Sequence, residues 1–276
     1  MPDAVFPSHT QNCSGLLEIA DQFDAFVLDS FGVLNVGETA IPGAVACLHT
    51  LRAMGKQLIV LTNAASYTRA VAVARYRSLG FDFAAHEVVS SRDVAVARLT
   101  DVLPSGHWGA IAAPDDRFED IPAQVAHWTG QDVDGFLLLS SAALDEAKMD
   151  VLTDTLADHI RPVVVANPDL VAPRESGLSK EPGFYAHQLA DALTLEPIFF
   201  GKPFSNAFAD AKSRLGGTAP QRIAMVGDTL HTDILGGASA GFRTVLVRDN
   251  GLCAGNSTET FIRASGIRPD FSCASI

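Results

Sequence analysis

The sequence predicts an α/β fold: a Rossmann-like parallel sheet into which a second α/β unit is inserted. Three observations carry that expectation. Short apolar runs rich in Val, Ile, Leu and Phe alternate with amphipathic segments of helical length, the pattern of βαβ units around a parallel sheet. Four of these runs end in polar residues, at Asp29, Thr62-Asn63, Lys202 and Asp228. The texture changes at Pro104-Ser105-Gly106 and the earlier pattern resumes near residue 197, as one compact unit inserted into another would produce.

The elements follow in order. Phe26-Val27-Leu28 is a buried strand that ends at Asp29 and turns at once through Gly32. Ile41-Pro42-Gly43 opens a helix that runs to about Met54, Gly55 stops it, and residues 57–61 form the next buried strand. Ser66 caps a helix reaching about Leu79, Gly80 ends it, and residues 88–91 make a short strand before a helix from Asp93. Beyond the Pro104-Ser105-Gly106 linker come strands at residues 110–113, 136–139 and 163–166, with helical segments between them that take in His127, His159 and His187. The first domain resumes with Phe199-Phe200-Gly201-Lys202-Pro203 and strands at residues 223–228 and 244–248. The expected division is residues 1–103 plus 197–276 for the core and residues 104–196 for the insertion.

Composition narrows the function. At 276 residues and 47% hydrophobic, the chain buries at least one substantial core. A formal charge of −12 argues against nucleic acid or an anionic membrane as partner, since both need clustered Lys and Arg. Cys13, Cys47, Cys253 and Cys273 are scattered, with neither zinc-ligand spacing nor a disulfide framework, which fits a reducing cytoplasm. The first residues lack the basic start and apolar run of a signal peptide, and no apolar stretch approaches membrane-spanning length.

Ligands of a parallel sheet bind outside the carboxyl ends of its strands, so the four polar ends are expected to converge. Asp29 and Asp228 would then stand within a few ångströms, joined by Asp233, and carboxylates that close need a counter-ion. Oxygen-only ligands in that number suit Mg²⁺. Lys202 supplies a compact positive charge, and Thr62 and Asn63 supply uncharged donors. Metal, lysine and small donors make a clamp for a phosphoryl group.

Together these residues resemble the haloacid dehalogenase superfamily, and their order resembles its NagD-like sugar-phosphatase and nitrophenylphosphatase branch. Asp29 matches the first motif, Thr62-Asn63 the second, Lys202 in Gly-Lys-Pro the third, and Gly227-Asp228-Thr229-Leu230-His231-Thr232-Asp233 the fourth. Ile41-Pro42-Gly43-Ala44 and Ala166-Asn167-Pro168-Asp169 match further landmarks of the branch. Asn167 and Asp169 read equally well as shaping a Pro-containing turn or as touching substrate. The resemblance implies that Asp29 attacks phosphorus to form an aspartyl phosphate on a small phosphorylated metabolite and that Lys202 offsets the charge. It implies that Asp29, Asp228 and the Phe31 backbone carbonyl hold Mg²⁺, that Asp233 orders the metal shell or Lys202, and that Thr62, Asn63 and Lys202 bind the phosphate. The insertion becomes a cap that closes over the site and chooses the substrate.

One position departs from the pattern. Superfamily phosphatases carry a second aspartate two residues after the nucleophile, which protonates the leaving oxygen; here that residue is Phe31. Loss of a general acid/base costs about a hundred- to ten-thousand-fold in rate, or roughly 3 to 6 kcal/mol of barrier. Four readings stay open: a phosphatase in which His231 or Glu38 substitutes, an enzyme for activated phosphates only, a dehalogenase-like hydrolase that attacks carbon, and a catalytically weak binder of a phosphorylated metabolite. An exposed apolar cap surface would favour a homodimer.

Overall fold

The computed structural model describes residues 3–174 and 177–276. The chain forms two compact units, one of Met1–Thr62, Arg69–Val89 and Lys202–Ile276, the other of Asn63–Thr68 and Ser90–Gly201.

The first unit is built on a seven-stranded sheet in the order Gln11–Asn12, Phe271–Cys273, Arg243–Val247, Ile223–Gly227, Ala25–Leu28, Gln57–Thr62, Val88–Ser90. Every residue of Ala25–Leu28 and Ile223–Gly227 is buried, as continuous apolar runs covered on both faces require. Ala25–Leu28 pairs in parallel with Ile223–Gly227 on one side and Gln57–Thr62 on the other, with Leu28 level with both Val226 and Val60. That register brings the residues after the three strands, Asp29, Asp228 and the Thr62 end, to one edge. Below them Phe23, Phe26, Leu48, Leu51, Phe81 and Phe271 share a core, with Phe23 edge-on to both Phe26 and Phe271. The strands Gln11–Asn12 and Phe271–Cys273 were not expected, because two- and three-residue strands are too short to show a period.

The second unit carries a five-stranded sheet in the order Ile198–Phe199, Val163–Val165, Gly135–Leu138, His107–Ile111, Gln124–His127, each neighbouring pair parallel. Helices Glu146–Asp158 and Pro182–Leu193 add Met149, Leu152, Leu156, Ala186 and Leu189 to a core around Trp128 and Phe136. A two-stranded hairpin, Val171–Arg174 with Gly177–Lys180, stands apart from that sheet.

Three expectations are corrected here. The run before Lys202 is not a strand of the first sheet: Ile198 and Phe199 pair with Val164 and Val165. Periodicity recognises a strand but not the sheet that recruits it. His127 lies on a strand rather than a helix, where its Nε2 meets the Asp116 carbonyl at 3.0 Å; His159 directly follows a helix, and His187 is within one, stacked on Phe199. The Pro104-Ser105-Gly106 cluster is a loop inside the second unit, and residues 90–103 and 197–201 belong to that unit as well.

The reason for that boundary is Arg92, whose neighbour Ser90 caps the helix Ser91–Val96 by accepting from Asp93 N. The Arg92 side chain is completely buried. It forms ion pairs with Asp116 and Asp120, both at 2.8 Å, and donates to the Ala65 carbonyl at 3.1 Å. A guanidinium so enclosed satisfies its donors only through the residues around it, which ties residues 63–68 and 90–103 to the 116–120 loop. Arg92→Ala leaves the buried Asp116 carboxylate without its counter-charge and is expected to destabilise the protein by about 3 to 5 kcal/mol. Chemical denaturation of both proteins measures this, and a loss below about 1 kcal/mol would show that the cluster relaxes without Arg92.

Candidate active site

Asp29 directly follows Ala25–Leu28, anchored by its N–H to the Val226 carbonyl at 2.8 Å. Asp228 follows Ile223–Gly227 in the adjacent strand. Asp233 lies in a π-helical turn, Leu230–Ile234, that leads into the helix Leu235–Ser239. Such a turn widens the backbone spiral and redirects a side chain, and it recurs at functional sites. The three aspartates are buried, and one carboxylate oxygen from each lies within 4.8 Å of the others.

Lys202 joins them, 2% exposed. Its Nζ stands 2.6 Å from Asp29 Oδ1 and donates to Asp233 Oδ1 at 2.7 Å. Burial alone would depress the ammonium, but the carboxylates of Asp233 and Asp29 outweigh it and raise its pKa, so Lys202 is charged. Burial pushes Asp233 up while the ammonium pulls it back. Because Asp233 accepts from both Lys202 Nζ and Thr229 N, at 3.0 Å, it has the bonding pattern of an ionised carboxylate.

The two oxygens of Asp29 differ. Oδ1 accepts from Ser30 N at 2.7 Å and faces Lys202, whereas Oδ2 has no hydrogen-bond donor among the described residues. Asp228 is held from both sides, Oδ1 by the Thr229 hydroxyl at 3.0 Å and Oδ2 by Leu252 N at 2.7 Å. Glycine makes that enclosure possible. A Cβ on Gly32, which has φ +76°, would stand 2.8 Å from Asp228 Cγ, and one on Gly251 would stand 1.9 Å from Asp228 Oδ2.

Burial, followed by the negative charge of Asp29, pushes the Asp228 pKa up to about 6. Three carboxylates against one ammonium leave two formal negative charges when all are ionised. An all-oxygen cluster with that deficit fits a hard divalent cation.

Thr62 ends its strand buried in the first unit. Asn63 belongs to the second unit, and its Nδ2 donates to Asp169 Oδ1 at 2.8 Å. Phe31 is half-buried, on an isolated bridge to Asn35. The two residues offered as substitutes for the absent acid are both exposed. Glu38 is ion-paired with Arg75 at the surface. His231 points out of the π-helical turn as an exposed residue.

Sequence reasoning missed the polar groups beside Asp29. The Ser30 hydroxyl donates to Asn35 Oδ1 at 2.9 Å, Asn35 Nδ2 donates to the Gly37 carbonyl at 2.7 Å, and Tyr76 is buried close by. Burial pushes Tyr76 up to about 12. Nothing in the spacing of the helix Arg69–Ser78 marks Tyr76 as polar-facing rather than core.

Comparison with known proteins agrees with this geometry. A haloacid dehalogenase-like hydrolase model matches residues 26–119 and a HAD-hydrolase-like model matches residues 199–276. The human glycerol-3-phosphate phosphatase is 30% identical, over 92% of this chain and 88% of its own length. The chain belongs to the haloacid dehalogenase-like hydrolases. Phosphoglycolate phosphatase 2 of Arabidopsis thaliana is 26% identical over 95% of this chain and 94% of its own. Among solved structures, a possible sugar phosphatase of the superfamily from Cytophaga hutchinsonii superposes with a TM-score of 0.83 at 26% identity, covering 97% of this chain and 98% of that one.

The raised Asp228 pKa has a measurable consequence in this hydrolase. Between pH 4 and 6 the folded protein keeps a proton that the unfolded chain has released, so without metal the contribution of Asp228 is fully present below about pH 4 and is lost as pH rises through about 6. Thermal denaturation in chelator is expected to show Asp228→Asn gaining on wild type across that interval, with the order reversing in millimolar Mg²⁺. Equal stabilisation of both proteins by Mg²⁺ would remove Asp228 from the metal site.

Proposed function

We propose that this protein is a Mg²⁺-dependent phosphatase of small phosphorylated metabolites, working through a phosphoryl group carried on Asp29. The observation that carries the reading is the asymmetry of Asp29: one oxygen is fixed by Ser30 N and Lys202, the other has no donor among the described residues and is available to attack. Oδ2 attacks phosphorus, the phosphorus–oxygen bond to the leaving group breaks, and water then hydrolyses the aspartyl phosphate. Lys202, held charged by Asp233 and Asp29, offsets charge on the transferring group, and the Thr62 hydroxyl donates to a phosphate oxygen. Asp29, Asp228 and the Phe31 backbone carbonyl would hold Mg²⁺, which supplies Lewis-acid stabilisation of the same charge. The second unit is the cap, where substrate choice is encoded.

Relatives named for glycerol-3-phosphate, phosphoglycolate and dihydroxyacetone phosphatase activity point to short phosphorylated metabolites. Phe31 refines this choice. Alkoxide leaving groups need a proton and Phe31 has none to give, so esters and acyl phosphates with weakly basic leaving groups are favoured. Four unpaired thiols fit a reducing cytoplasm, and no helix among the described residues is long and apolar enough to cross a membrane. Val151 and Ile160, both more than half exposed on the second unit, make a homodimer part of the proposal.

Steady-state hydrolysis of acetyl phosphate, p-nitrophenyl phosphate and glycerol 3-phosphate, with and without Mg²⁺, tests the reading. Wild type is expected to favour the first two and Asp29→Ala to abolish all turnover. Phe31→Asp should raise the glycerol phosphate rate relative to p-nitrophenyl phosphate by about a hundredfold. Turnover that survives Asp29→Ala, or a wild type and Phe31→Asp that are both inert, would sink it.

A further inference from the structure

Asn63 stands where a phosphate donor is expected, yet its carboxamide is enclosed, with the residue only 4% exposed. Nδ2 donates to Asp169 Oδ1 at 2.8 Å. Asp169 is held in turn: its N–H donates to Asn167 Oδ1 at 3.0 Å, and Asn167 Nδ2 reaches Glu181 Oε2 at 3.4 Å. Glu181, 5% exposed, accepts from the Ser179 hydroxyl at 2.6 Å. These residues flank the hairpin of Val171–Arg174 and Gly177–Lys180, and the chain of bonds ends on Asn63.

The other end of the same carboxamide bears on Gly201. That residue has φ +124°, and a Cβ there would stand 2.7 Å from Asn63 Oδ1, 2.8 Å from Pro168 Cδ and 2.9 Å from Ser91 Cβ. The backbone at Gly201 is therefore seated in a notch walled by Asn63, Pro168 and Ser91, and the next residue is Lys202. A side chain with one end bonded to Asp169 and the other against Gly201 cannot turn toward a ligand without giving up both contacts.

We propose that Asn63, oriented by Asp169, is a positioning residue: it seats Gly201, the residue that leads the chain into Lys202, rather than binding phosphate itself. The proposal rests on Lys202 serving the phosphatase site. A displacement of about 1 Å at a charged group of that kind costs about a hundredfold in rate. Because both residues act through one contact, removing either does the damage, and removing both adds little.

The test uses the full-length chain as Asn63→Ala, Asp169→Ala, the double variant and Asp169→Asn, which keeps an acceptor oxygen. Two readouts are taken. Amide hydrogen exchange by mass spectrometry is expected to quicken at least tenfold in the peptide of residues 197–205, equally in the singles and the double, while residues 107–111 are unchanged and Asp169→Asn is close to wild type. With p-nitrophenyl phosphate, kcat is expected to fall about a hundredfold in each single and no further in the double, with KM and inhibition by inorganic phosphate within about threefold of wild type.

Unchanged exchange at residues 197–205, kcat losses that multiply in the double, or weakened inhibition by phosphate with kcat spared would each overturn the proposal, the last making Asn63 a direct ligand. If wild type hydrolyses no ester but the exchange pattern holds, the phosphatase reading falls and the seating of Gly201 stands.

Discussion

Everything at the site depends on the ammonium of Lys202. Three buried carboxylates with oxygens within 4.8 Å of one another repel strongly in a medium less polar than water, and the fold holds them there only because a fourth buried group of opposite sign reaches two of them at 2.6 and 2.7 Å. The pair with Asp233 fixes the lysine, and its contact with Asp29 engages Oδ1 of that carboxylate. A net deficit of two charges persists beside Asp228, whose proton affinity burial and the Asp29 charge raise. A divalent cation answers that deficit with the oxygen chemistry present.

The same dependence explains the local backbone. Gly32 and Gly251 crowd Asp228 where no larger residue fits, and the π-helical turn at Leu230–Ile234 turns Asp233 inward to meet Lys202. Phe31, by contrast, sits in the first motif without any group that exchanges protons. On the proposed reading, the site keeps the groups that would stabilise charge on a transferring phosphoryl group and has no acid at the position of Phe31. Charge stabilisation and leaving-group protonation are separable contributions to phosphoryl transfer, so the proposed reading expects Phe31 to select among substrates.

Lys202 stands at the boundary between the two units, each of which folds around its own core. Its preceding strand, Ile198–Phe199, belongs to the second sheet, while the lysine itself counts with the first unit. Arg92 performs a related service elsewhere in the second unit, holding residue 65 and the 116–120 loop through one buried guanidinium. Buried polar groups of this kind add little net stability over an apolar substitute, but they specify which segments meet.

Much was readable from residue order alone. Apolar runs ending in Asp29, Thr62 and Asp228 announced a parallel sheet and the edge at which its ligands gather, since continuous hydrophobicity marks a strand covered on both faces and a charge at its end has nowhere else to go. The family resemblance and the absence of an acid at Phe31 were equally legible, because both are matters of residue identity at fixed spacing. Tertiary structure decided the rest. Which sheet recruits Ile198–Phe199, that Asn63 faces Asp169 and Gly201, that Glu38 is paired with Arg75, and that Tyr76 is buried near Ser30 all depend on contacts between residues far apart in sequence. Periodicity reports which face of an element is buried, but not against what; the partner is chosen by packing and by the need of each buried polar group to find a bond.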